Sequence, residues 1–433
     1  MIFGIDPIFA LIPLIVYVII SFKEDWHPVM NIFICVVLAA ILTKQPFANM
    51  GRVMADAMGS FLGMIGLIIM LGAGLGAVLH KTGVAENLVM SLVKGIGVNT
   101  EKKAIITTMI SSTVLVALLG TLAGANAIIA PIIIPLVAAV AVTPSAIAVC
   151  FLGAGLTGMF LGPYTPQVVT ILGITNLSYG QYITSAGIPL AVVVLLITFF
   201  WAVRAQKKTK GVYAYEDVEA PQDNYTASQA TKQATIGFLV SILGMIAYGM
   251  VIKGGAAFAI LAILVSAIVT GISVKLKIDD LINTFIAGSS KLMWLFIMFL
   301  LFNPFIDFIA GVGAFDRLVE LLQPLLASGN RVLFSLIATL TGIFGIGGAA
   351  TADNVVMDSM FRGLVDKMGI SMLLWALILL VSGQITSFAY PEADMIGQMG
   401  LARSKDVKTM VKFGLTVVLF STILVVVMSI LNL

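Results

Sequence analysis

Apolar positions in this chain come in blocks longer than a soluble helix or strand needs. Continuous stretches occupy 8–21, 29–43, 60–79, 183–205, 236–252, 258–274, 292–309 and 411–431. The longest reach the ~20 residues that carry a helix across a bilayer. Two more apolar regions, 104–175 and 331–401, are interrupted by Gly, Pro and polar residues. Between the halves, 206–233 turns polar, first with Lys207, Lys208 and Lys210, then with Glu216, Asp217, Glu219 and Asp223. That stretch reads as a solvated cytoplasmic linker. It separates a first transmembrane repeat, 1–205, from a second, 234–433.

The halves align. "GVAENLV" from Gly83 matches "GAFDRLV" from Gly313, Asn126 falls on Asn354, and Leu136-Val137 falls on Leu364-Val365. Gly155 meets Gly383 and Pro163 meets Pro391 at a shift of 228; Gly173 meets Gly400 and Gly187 meets Gly414 at 227. A nearly constant shift over so many Gly and Pro landmarks implies an internal duplication.

Composition sets the solvent. Of 433 residues, 60% are hydrophobic and 10% charged, against ~25% charged in soluble domains. Lipid must therefore solvate much of the surface. Cys35 and Cys150 lie in apolar runs and read as packing residues. His27 and His80 sit at span ends, and no CxxC or HExxH is present. Neither a metal centre beyond a bound Na⁺ nor an organic cofactor is expected, and a net charge of +3 gives no reason to expect a nucleic-acid partner. With no basic segment or small-residue cleavage site before it, the first apolar run reads as a retained span.

Charge placement orients the chain. With five crossings per repeat, and 104–142 and 331–365 as re-entrant hairpins, an outside N-terminus leaves only Lys44, Arg52, Lys253, Arg317, Arg331, Arg362 and Lys367 of the 24 Lys and Arg outside. Cytoplasmic segments favour Lys and Arg, so this is the expected orientation in the cell (inner) membrane. An odd number of crossings makes the copies inverted. The expected fold is thus an all-α polytopic membrane protein. It has two inverted repeats of about five transmembrane helices, each with a re-entrant hairpin and a broken helix.

Irregular backbone at membrane depth survives only where protein or a wet cavity satisfies it. Four segments qualify: "LGTLAGANA" from Leu119, "GIGGAATADN" from Gly345, "GPYTPQ" from Gly162 and "YPEAD" from Tyr390. Paired breaks at matching positions of two repeats point to a midplane site, whose free N–H groups suit anions and whose free carbonyls suit Na⁺. The solute-binding candidates are Asn126, Asn354, Thr121, Thr351, Tyr164, Thr165 and Gln167, joined by Gln384; Ser382 reads rather as a back-bonded helix residue. The first repeat has no acid between 104 and 200, whereas the second carries Asp307, Asp353, Asp358, Glu392 and Asp394. A carboxylate at mid-membrane costs about 2.5–3.5 kcal/mol on insertion scales, so these five are the ion- or proton-coupling candidates. Asp307 and Asp358 are the two most open to a plain surface role. Gly72, Gly74, Gly76, Gly153, Gly155, Gly158 and Gly162 read as close-packing sites. The amphipathic stretch 82–98 and its counterpart 314–326 read as arms between moving and static parts.

"GTLAGANAIIAPIIIPLV", "GAGLTGMFLGPYTPQVVTILG" and "LSYGQYITSAG", with the echoes "GIGGAATADNVVMDSM" and "QITSFAYPEADMIGQMG", resemble the ion transporter superfamily, and within it the C-type sodium/proton antiporters, a family that includes amino-acid permeases. The resemblance spans nearly the whole chain. It implies a scaffold domain, a transport domain with two hairpins and two broken helices, a homodimer, and elevator-like movement. Dicarboxylate carriers of the superfamily have Ser-Asn-Thr at both hairpin tips; here the tips read Ala125-Asn126-Ala127 and Asp353-Asn354-Val355, so only the asparagines match.

Together these readings predict a secondary active transporter. It would carry a small organic solute such as an amino acid, coupled to Na⁺ or H⁺, by alternating access. The alternative is a Na⁺/H⁺ antiporter without an organic substrate. An intramembrane enzyme would need a nucleophile and base, and only Glu392 with Asp394 offers an acid–base pair. Lipid, a small solute and a cation are the expected partners.

Overall fold

The structure, a computed structural model, describes residues 4, 6–21, 27–215, 226–252, 254, 256–326, 330–345 and 350–431. Among them every regular element is a helix. The first half runs α1 (Ile12–Ser21), α2 (Pro28–Leu42), α3 (Met50–Met58), α4 (Phe61–Lys81), α5 (Val84–Ile96), α6 (Glu101–Leu119), α7 (Leu122–Ala139), α8 (Pro144–Leu161), α9 (Pro166–Thr175), α10 (Tyr179–Tyr182) and α11 (Ile188–Thr209). A π-turn, Ile183–Gly187, joins the last two. The second half runs α12 (Gln229–Val251), α13 (Phe258–Ser273), α14 (Ile278–Ser290), α15 (Met293–Ala310), α16 (Ala314–Leu326), α17 (Arg331–Thr341), α18 (Ala350–Lys367), α19 (Met372–Ala389), α20 (Ala393–Leu401) and α21 (Val407–Ile430). Nine helical stretches among the described residues are long and apolar enough to cross a membrane.

Local chemistry sets the boundaries. Ser60, Thr100, Thr121, Thr143 and Ser371 cap α4, α6, α7, α8 and α19 with their hydroxyls, each meeting one N–H that the first turn leaves unpaired. Between α6 and α7 the chain reverses through Gly120 at φ +68°, a left-handed conformation that a side chain resists. Both arms of this hairpin, 19 and 18 residues, are long enough to cross a membrane. Pro163 and Pro166 separate α8 from α9, and Pro391 separates α19 from α20, because proline has no N–H to continue the ladder.

Packing sorts the helices into two groups. In one, α4 packs against α13, α14 and α15, α15 against α2 and α3, and α12 against α13. In the other, α8 packs against α6 and α11, α19 against α17, α18 and α21, and α11 against α21. The arms stretch between the groups: α5 touches α4 and α12 as well as α6 and α7, and α16 touches α15 and the N-terminal turn Pro7–Leu11 as well as α18. Asn87 of α5 donates to Thr235 of α12 at 2.8 Å, and Arg317 of α16 donates to Asp6 at 3.0 Å.

Two short amphipathic helices, α3 and α14, lie outside the apolar runs read from the sequence. In α14, "IDDLINTFIAGSS" mixes polar and apolar positions, so the sequence pattern passes over it. It nevertheless packs tightly on α4: a Cβ on Gly74 would come 2.8 Å from Phe285 O, and one on Gly288 2.7 Å from Ala73 O. Gly153, Gly155, Gly158 and Gly162 likewise sit where α8 has no room for a side chain, whereas nothing lies within 4 Å of a Cβ on Gly72. The linker is described only in part. α11 continues to Thr209, Tyr215 O–H donates to Ala402 O at 3.1 Å, and 216–225 lie outside the described residues.

Candidate functional site

The two half-helices cross between the halves of the chain. α9 packs on α18 and α19, and α20 packs on α7 and α8, so each stands against the hairpin of the other half. At one crossing Asn126 of α7, fully buried, is saturated. Its Oδ1 accepts from Ser112 Oγ at 2.7 Å, and its Nδ2 donates to Phe151 O at 3.0 Å and to Gln398 Oε1 at 2.7 Å. Gly155 backs it, with a Cβ there only 3.0 Å from Asn126 Nδ2. At the other crossing Gln384 of α19 donates to Gln167 Oε1 of α9, whose own Nε2 reaches Leu380 O at 3.3 Å.

Asn354 of α18 occupies the corresponding place in the second half and is backed by Gly383, where a Cβ would stand 3.2 Å from Asn354 Cγ. Its environment differs. It is fully buried, yet among the described residues neither amide atom has a hydrogen-bond partner. Ser382 Oγ, Gln384 Oε1, Thr386 Oγ1 and Gln398 Nε2 are also buried with capacity to spare. Each such atom costs about 1–3 kcal/mol if left unmet.

Glu392 and Asp394 adjoin each other at the start of α20, and Asp353 precedes Asn354 in α18. Glu392 caps α20, its Oε1 accepting from Asp394 N at 3.0 Å, while its Oε2 is buried and unbonded. Asp394 Oδ2 accepts from Ser387 Oγ at 2.8 Å. The Tyr390 hydroxyl lies 3.4 Å from Ile343 O and Gly345 O at the second hairpin. Asp353 stands against Gly345, where a Cβ would come 2.9 Å from Asp353 Cγ. Of the string "GIGGAATADN", residues 346–349 lie outside the described residues.

The remaining candidates stand apart. Asp358 is held by Trp375 Nε1 at 2.7 Å and Arg362 at 2.6 Å, an arrangement that fixes α18 to α19. Asp307 is exposed and accepts from Asn303 at 2.8 Å. Thr121 caps α7, and Thr165 turns its hydroxyl back on Met159 O at 2.8 Å. Tyr164 lines a small cavity of about 30 Å³ shared with Gly249 and Phe258, between α9 and the α12–α13 pair. Thr351 lies in the first turn of α18, half-buried. Ser112, Gln398 and Ser387 were not singled out in the sequence. Gln398 is an amide that follows a proline break; Ser112 and Ser387 carry no such signal.

Comparison with known proteins locates the chain. A family model described as GntP family permease matches residues 5–253, more than half of it. No curated protein matches in sequence. Among solved structures, the fold is similar to the YdaH transporter of Alcanivorax borkumensis, with TM-score 0.63 and 14% identity over 93% of this chain and 98% of that one. It is also similar to MtrF of Neisseria gonorrhoeae, described within a class of antimetabolite efflux pumps, with TM-score 0.59 and 14% identity over 95% and 96%. At such identity the likeness is one of fold. The family match ends before α13, so the carboxylates of the second half lie beyond it.

Proposed function

The chain belongs to the GntP permease family, and from that premise we propose that it is a secondary active transporter coupling a monovalent cation, Na⁺ or H⁺, to a small organic solute such as an amino acid. The observation that carries the proposal is the unequal pair of asparagines: one amide saturated at its crossing, the other buried and unbonded in the half of the chain that also carries Asp353, Glu392 and Asp394. In this reading the saturated crossing holds the two halves together. The free amides and hydroxyls of Asn354, Ser382, Gln384 and Thr386 receive the solute, and Asp353, Glu392 and Asp394 provide the cation's charge partner. No Lys or Arg is among these residues, which suits a solute bringing its own ammonium group or a bare cation.

The two packing groups supply a scaffold (α1–α4 and α12–α15) and a transport unit (α6–α11 and α17–α21), with α5 and α16 as the arms across which the unit moves. We assign the chain to the inner membrane as inverted repeats, N-terminus outside, assembled as a homodimer. The resemblance to C-type antiporters supports a second reading, a Na⁺/H⁺ antiporter. The specific observation in its favour is that Glu392 and Asp394 adjoin each other and form no ion pair among the described residues.

The test uses purified protein in sealed liposomes with an internal pH dye and an imposed pH gradient. Proton movement evoked by Na⁺ but not K⁺, without organic solute, selects the antiporter. Silence there, with saturable amino-acid or carboxylate uptake driven by a cation gradient, supports the carrier. Absence of both overturns the proposal.

A further inference from the structure

The two helix breaks are related by the internal repeat but are finished differently. At the end of α8, Pro163 has no N–H for Met159 O, and the chain leaves the helix with four carbonyls to satisfy. All four are met from within. Thr165 Oγ1 lies 2.8 Å from Met159 O. Tyr182 O–H donates to Phe160 O at 2.9 Å and Tyr179 O–H to Leu161 O at 2.6 Å. Thr165 N–H donates to Gly162 O at 3.2 Å. Tyr182 and Thr165 are fully buried, so these are fixed members of the packing.

At the end of α19, Pro391 likewise leaves Ser387 O without a helical partner. Among the described residues no N–H or hydroxyl donates to Ser387 O or Ala389 O. The sealing hydroxyls have no equivalents. By the shifts of 228 and 227, Thr165 corresponds to Ala393, Tyr179 to Asp406 and Tyr182 to Thr409. Asp406 and Thr409 are occupied with each other at the start of α21, Asp406 Oδ1 accepting from Thr409 N at 3.1 Å. Where the first break has Tyr164 and Pro166, the second has Glu392 and Asp394. One break has lost its open oxygens to three hydroxyls; the other has kept them and gained two carboxylates.

Resting on the transporter reading above, we infer that the repeat-related cation site of the first half is closed by Tyr179, Tyr182 and Thr165, and that the chain binds a single Na⁺, at the second break. A hard monovalent cation is best served by a cluster of oxygens including at least one anionic one. Ser387, Asp394, Glu392 and the open carbonyls of Ser387 and Ala389 form such a set. A cation at the first break would have to strip Phe160 O and Leu161 O of their tyrosines, leaving two phenol hydroxyls unbonded in an apolar surrounding, with no carboxylate in return. The tyrosines therefore act as positioning residues that decide stoichiometry, not as ligands.

Equilibrium binding of ²²Na⁺ to the purified chain in lipid nanodiscs tests this directly. The expected result is saturation at one Na⁺ per chain, with Glu392→Gln plus Asp394→Asn weakening binding by about tenfold or more. Tyr179→Phe and Tyr182→Phe should leave the carboxylate-dependent site intact. Saturation at two Na⁺ per wild-type chain overturns the inference without any variant, and so does a single site that survives the carboxylate double change in protein shown by melting to be folded. If no Na⁺ binds but solute uptake follows a proton gradient, this inference fails and the transporter reading stands. If neither cation affects binding or uptake, both fail.

Discussion

Asn126 and Gln398, separated by 272 residues of sequence, are joined by a buried hydrogen bond of 2.7 Å. Its donor belongs to the first hairpin and its acceptor to the second half-helix, so it is a tie between the halves. Because Asn126 also holds Ser112 and Phe151 O, shortening it strips three partners at once. Asn126→Ala should cost about 1–3 kcal/mol of stability and lower transport at least about tenfold, whereas Gln398→Ala, losing a single partner, should cost less. A double-mutant cycle on thermal melting and uptake checks the tie. Additive effects would mean the two amides do not act on each other.

Gly383 supports Asn354 as Gly155 supports Asn126, and a methyl at 383 would press directly on the Asn354 amide. Gly383→Ala should displace that side chain and abolish solute uptake while the chain still folds. Gly397→Ala, on the same short half-helix as Gln398, meets nothing within 4 Å. It should leave uptake unchanged and, by helix propensity, stabilise by up to about 1 kcal/mol. Equal loss of uptake in both would show that α19 and α20 alike tolerate no added methyl, and would remove Gly383 as a special contact.

The spans, the helix breaks and the landmark glycines were legible in the sequence because each obeys a local rule: an apolar block must cross lipid, and a proline cannot continue a ladder. That Gly155 and Gly383 share one register with Asn126 and Asn354 was visible too, and in the structure each pair is in contact. The partners of those asparagines were not legible. Gln398 reaches Asn126 only because α20 of one half lies on α7 of the other, and no periodicity encodes that crossing. The same holds for Tyr179 and Tyr182, which read as aromatic residues at a helix start until the α8 carbonyls are placed beneath them. Asp358 shows the limit of reading acids by residue type: its role depends on Trp375 and Arg362, and Trp375 lies seventeen positions away.

That arrangement makes Asp358 separable from the coupling carboxylates. Arg362 bonds Asp358 and also reaches Ile174 O at 2.9 Å, at the last turn of α9, so the pair clamps the second hairpin to the first half-helix. Asp358→Asn removes the charge but keeps the shape. It should lower stability by about 1.5–3 kcal/mol, as for a hydrogen bond to a charged group, and leave the cation dependence of uptake unmoved. Melting temperature and Na⁺ titration on the same variant distinguish the two roles. A shifted cation dependence at unchanged stability would return Asp358 to the coupling site.

Asp6 ties the N-terminal turn to the arm α16, and its pH behaviour follows from its contacts. The N–H of Ile8, at 3.0 Å, and then the guanidinium of Arg317 hold its carboxyl below the ordinary aspartate value. A depressed carboxyl stabilises the fold above its unfolded pKa, and that contribution fades as pH falls through the lower folded value. The Asp6 contribution should therefore be level from about pH 5 to 8 and be lost as the pH falls below the ordinary aspartate value of about 3.9. Because Asp6 and Arg317 are each more than a third exposed, the contribution should also shrink as salt is raised. Comparing wild type with Asp6→Asn by thermal melting across pH and ionic strength measures both trends. A difference that instead changes between about pH 6 and 7 would show that the Asp6 carboxyl is not the group that titrates.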